Sequence, residues 1–73
     1  MIVMTTGDML GYGKRLINIV RSDSAEDIKN ERLANLMTDL ERAYQIPSLL
    51  ANATNVDPIA LQFYQMVSNE RSF

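Results

Sequence analysis

A chain of 73 residues and 8.3 kDa has room for one hydrophobic core, of a size that barely offsets the entropy lost on folding. It contains no cysteine and no histidine, which excludes disulfides, thiolate metal sites and the commonest general base. A formal charge of −2 makes a polyanion a poor partner by long-range attraction, and an apolar content of 47% is a large surface for so short a chain to cover alone.

Met1 to Met4 are apolar, but no basic region precedes them and Thr5, Thr6, Gly7 and Asp8 interrupt the run, so a secretory signal is not expected. No apolar run approaches the roughly 20 residues needed to span a bilayer, and the expected location is the cytoplasm. A first helix is predicted over 6–21, with a hydroxyl at Thr5 or Thr6 to cap it and Asp8 at the positive end of its dipole. On a 3.6-residue wheel Met9, Leu10, Tyr12, Leu16, Ile17, Ile19 and Val20 fill one broad half of this helix, and Lys14, Arg15, Asn18 and Arg21 the other. Gly11 and Gly13 each cost about 1 kcal/mol relative to alanine inside a helix, so the helix either starts later or uses their bareness to admit a close neighbour.

Ser22-Asp23-Ser24 reads as a break, and Ser24 with Asp27 has the spacing of a capping box, which predicts a second helix over 25–44. Its apolar stripe is Leu33, Leu36, Met37, Leu40, Ala43 and Tyr44, while the pairs Glu26 with Lys29 and Asp39 with Arg42 lie at i,i+3. Ile28 falls off that stripe, so the first two turns are expected to project past the core. Pro47 ends the helix, a short helical turn follows near 47–51, and 52–55 reads as a loop. Asp57 as cap and Pro58 at the first helical position predict a third helix over 58–69. Ile59, Ala60, Phe63, Tyr64, Met66 and Val67 share one arc of it, and Leu61 is stranded among polar residues.

The expected fold is therefore all-α, a single-domain bundle of three main helices. Leu33, Leu36, Met37 and Leu40 should pack against Leu16, Ile17, Val20, Phe63, Tyr64 and Val67. With histidine and cysteine absent and the charges on solvent faces, no catalytic group is assigned and the chain is not expected to be an enzyme. No cofactor is expected either. The carboxylates Asp23, Glu26, Asp27 and Glu31 crowd the start of the second helix, where the dipole favours them, and lack the alternating loop a calcium hand needs. Asn52-Ala53-Thr54 matches a glycosylation acceptor and Gly7 with Gly11 a small-xxx-small spacing, both read as chance.

What remains is surface. Ile28, Leu61, Met1, Ile2, Val3 and Phe73 are apolar groups that a three-helix core would leave uncovered, and together they predict an interface with a protein partner or a second copy. The expected function is a small non-catalytic interaction module, regulatory or adaptor in kind and self-associating. Lys14, Asn18 and Arg21 form a row on the first helix that could touch phosphates, which makes a helix-turn-helix-like DNA-binding regulator the alternative. The third helix has no lysine or arginine before Arg71, which counts against nucleic acid. A non-catalytic subunit of a larger complex is the remaining possibility.

Overall fold

A computed structural model describes residues 1–47 and 55–71 and is all-helical: α1 spans Thr6–Arg21, α2 Glu26–Tyr44 and α3 Pro58–Glu70. The predicted turn near 47–51, the acceptor pattern at 52–54 and Phe73 lie, wholly or nearly so, outside the described residues. Helices α1 and α3 begin where their local chemistry dictates. Thr5 caps α1 through a full capping box, its Oγ1 accepting from the Asp8 N–H at 3.1 Å while Asp8 Oδ2 accepts from the Thr5 N–H at 3.2 Å. Asp57 caps α3, accepting from the Ile59 N–H, with Pro58 following it.

The start of α2 differs from the expected box. Its cap is Ala25, which offers no side-chain acceptor, and Ser24 Oγ instead accepts from Arg32 Nη1 at 3.1 Å. At the other end Gln45 takes a left-handed conformation, φ 55°, and the N–H groups of Gln45 and Ile46 both bond the Glu41 carbonyl, which stops α2 just before Pro47.

Polar ties fix the helix order. Tyr44 Oη donates to Asp8 at 3.1 Å, Arg15 bridges to Asp39, and Lys29 Nζ donates to the Val20 carbonyl at the end of α1, so α1 and α2 run antiparallel. Tyr64 Oη donates to Glu41 at 2.6 Å and Arg71 reaches Met37, so α3 runs antiparallel to α2 as well. Asp39 thus spends its charge across the helices on Arg15, not along α2 on Arg42, and Lys29 caps α1 in place of pairing with Glu26.

The core gathers Leu33, Leu36, Met37, Leu40 and Tyr44 of α2 against Leu16 and Ile19 of α1 and Ala60, Phe63, Tyr64 and Val67 of α3. Tyr12 meets Tyr44 edge to face, ring centres 6.1 Å apart. Helix α2 is the hub: α1 and α3 each pack chiefly on it and touch one another little. That arrangement overturns part of the expected core. An outer helix with one neighbour buries only a narrow arc, so Ile17 and Val20, and with them Met9 and Leu10, lie outside the core. On α3 the buried arc is rotated toward Leu61, which is half-buried against the core, and away from Ile59 and Met66, which are exposed. Met4 is buried too, held by its N–H donating to Asp57 Oδ2 at 2.7 Å.

Two of these ties carry a pH dependence. Burial first, and the facing carboxylate second, push the Tyr44 and Tyr64 hydroxyls up to about 12. A raised phenol pKa means the fold holds its proton after the unfolded chain, near 10, has released it. The stabilisation is therefore complete below about pH 10 and is lost as the pH rises to about 12. Tyrosinate absorbance and helical circular dichroism, recorded together through an alkaline titration, should show helix loss within that window; Tyr44 and Tyr64 ionising near 10 with helix intact would contradict the packing.

Candidate docking surface

The helix that folds with one neighbour is left with a second apolar row. Leu10 is 70% and Ile17 50% exposed, and Met9 and Val20 are exposed beside them. Between them lies Gly13, where an added Cβ would meet no atom within 4 Å. Met9, Leu10, Gly13 and Ile17 with the stem of Lys14 line a shallow concavity of about 470 Å³. The row continues past Ile17 and Val20 to Arg21, where Glu70 at the end of α3 forms the opposite wall.

On the other flank of α1 a cleft of about 450 Å³ opens toward α2, with Gly11 and Ile19 in its lining beside charged and amide side chains. Lys14, Arg15 and Asn18 line it from α1, Arg32 and Asn35 from α2. The antiparallel register brings these two sets together, because Arg15 lies opposite Asp39 and Ser24 receives Arg32 at the mouth of the interhelix connection. No carboxylate lines the cleft among the described residues. Gly11 and Lys14 belong to both concavities, so the apolar row and the cationic cleft meet along one edge of α1. Gly11 resembles Gly13 in having open space where a Cβ would stand.

The residues singled out in the sequence distribute unevenly over this surface. Lys14 and Asn18 both stand in the cleft, whereas Arg21 sits beside Val20 and Glu70, so the expected basic row is divided. Arg15 and Arg32, absent from that row, supply the other two cations. Ile28 is exposed in the first turn of α2, whose Glu26 and Lys29 lie beside Ile19 and Val20 of α1 and so do not project past the core as expected, and Met1, Ile2 and Val3 are exposed ahead of the anchored Met4. Leu61 is half-buried and packs against the core. The electrostatics elsewhere on α1 are structural: the Thr5 N–H first, and then the Tyr44 hydroxyl, hold the Asp8 carboxyl below the usual carboxylate range. Among the described residues no helix is long and apolar enough to cross a membrane, and no three acidic side chains converge as a metal site would need.

No family model, no curated protein and no solved structure matches the chain.

Proposed function

We propose that this protein is a non-catalytic interaction module that docks another protein chain through the outer row of α1, in a regulatory, adaptor or accessory-subunit role. The observation that carries the reading is Met9, Leu10, Ile17 and Val20 standing exposed on one helix around a bare Gly13. Scattered apolar side chains are ordinary on a surface; a contiguous row along a helix is the form taken by protein contacts. The glycines support the same reading. Each costs helix stability of about 1 kcal/mol, and no neighbour within the fold requires the space they leave.

Replacing Gly13 by alanine is accordingly expected to raise stability by about 0.5–1 kcal/mol, read from a denaturant midpoint, and to weaken assembly by filling the gap. A loss of stability would show that the gap serves the fold. The function itself is tested by the size of the native assembly in an extract of the source cells. The chain should elute well above its own 8.3 kDa, and the Ile17→Asp variant should return to that mass while still folded. Wild-type protein eluting as a lone 8.3 kDa chain would overturn the proposal.

A further inference from the structure

The outer row of α1 is bordered by a cleft lined by three cations, of which, among the described residues, Arg15 alone meets a carboxylate, that of Asp39, and that combination specifies an occupant. Resting on the docking role proposed above, we infer that the partner presents an amphipathic helix with carboxylates along one edge. Its apolar residues lie on Met9, Leu10, Gly13 and Ile17, and its Asp or Glu side chains enter the cleft between α1 and α2 against Lys14, Arg15 and Arg32.

Three features of the cleft support this occupant. First, it concentrates cations in a chain whose formal charge is −2, so the positive potential is local to this face. Second, those cations are incompletely neutralised within the fold. Among the described residues Lys14 has no hydrogen bond or ion pair, Arg32 donates to the neutral hydroxyl of Ser24, and Arg15 reaches Asp39 with one Nη, leaving the rest of its guanidinium fork for a second acceptor. Third, the amides of Asn18 and Asn35 flank the cations and can donate to the same carboxylates. Charge-assisted bonds of this kind fix register, while the adjoining apolar row supplies buried area.

A second copy of this chain fits the surface poorly. A two-fold contact through the middle of the row would set Lys14 against the partner copy's Lys14, a like-charge juxtaposition that such interfaces avoid. Duplex DNA fits poorly as well, since phosphates would use the cleft and leave Met9, Leu10 and Ile17 uncovered.

The test selects partners from a displayed library of single-helix peptides as long as α1, with apolar positions at i, i+3, i+4 and i+7 and all others randomised, against the full chain. The expected pool is enriched in Asp and Glu along one flank. Its members should bind at least about tenfold more weakly to Lys14→Glu/Arg32→Glu protein and to Ile17→Asp protein, with both variants melting as wild type does. A pool neutral or basic at those positions, or binding unchanged in the Lys14/Arg32 variant, overturns the acidic partner while leaving the α1 row as a docking face. A pool whose binding ignores Ile17→Asp, or no enrichment at all, overturns the docking role together with the inference. Tighter self-association than peptide binding in light scattering, or tighter binding of duplex DNA than of the acidic pool at the same salt, also overturns the inference.

Discussion

Replacing Leu40 by alanine is expected to remove about 2–5 kcal/mol of stability and leave the chain largely unfolded at ambient temperature. Leu40 is fully buried on the inner face of α2, the one helix that both others pack on, so a cavity there loosens the core that all three share. Deleting buried methyl groups costs their transfer free energy plus the dispersion attraction forfeited by the atoms lining the void, because neighbours relax only in part. A core in a domain this small leaves a surplus of only about 3–5 kcal/mol, so the loss is comparable with the whole stability. Leu10→Ala serves as the control, since that leucine is 70% exposed and should melt within about 0.5 kcal/mol of wild type. Urea denaturation of the pair decides the matter: a Leu40→Ala midpoint equal to that of Leu10→Ala would show that α2 is not the hub.

The second large effect is expected at Asp57, whose carboxylate does two things. One oxygen caps α3 through the Ile59 N–H, and the other accepts from the buried Met4 N–H, joining residues far apart in sequence. Alanine removes a cap of about 1 kcal/mol and leaves the Met4 donor buried without a partner, at roughly 1–3 kcal/mol. The combined loss is about 2–4 kcal/mol. Asparagine keeps an acceptor for one of the two donors and should recover much of the loss. Hydrogen exchange at Met4 adds a local reading, because its amide should be protected in wild type and exchange freely in the alanine variant. A slow Met4 amide in Asp57→Ala protein would show that something else holds the N-terminal segment.

The parts of this structure legible in the sequence are those set by neighbours along the chain. Thr5 and Asp8 marked the start of α1, Asp57-Pro58 the start of α3, and the stripe Leu33, Leu36, Met37, Leu40 the inner face of α2, because caps and helical periodicity are local. The divergence at Ala25 is also local in origin: Ser24 and Asp27 have box spacing, but Arg32 takes the serine hydroxyl. What periodicity could not supply was how many helices touch each face. The apolar arc of α1 covers half its circumference, and only the packing of α3 away from α1 decides that Leu16 and Ile19 turn in while Ile17 and Val20 stay out. The cleft was hidden for a related reason. Lys14 and Asn18 were visible as a polar row, but Arg32 and Asn35 join them only through the antiparallel register of α1 on α2. Met4 belonged to an apolar run with no helical period, and its burial depends on an acceptor near the other end of the chain.

Whether the outer row of α1 faces another protein is tested most directly by site-specific photo-crosslinking in living cells. A benzophenone side chain is placed at position 17 and, as control, at Gln62, an exposed residue of α3. A discrete higher-mass adduct from position 17 and none from position 62 is the predicted result. Position 17 yielding no adduct, while the substituted protein folds and accumulates as wild type does, would contradict it.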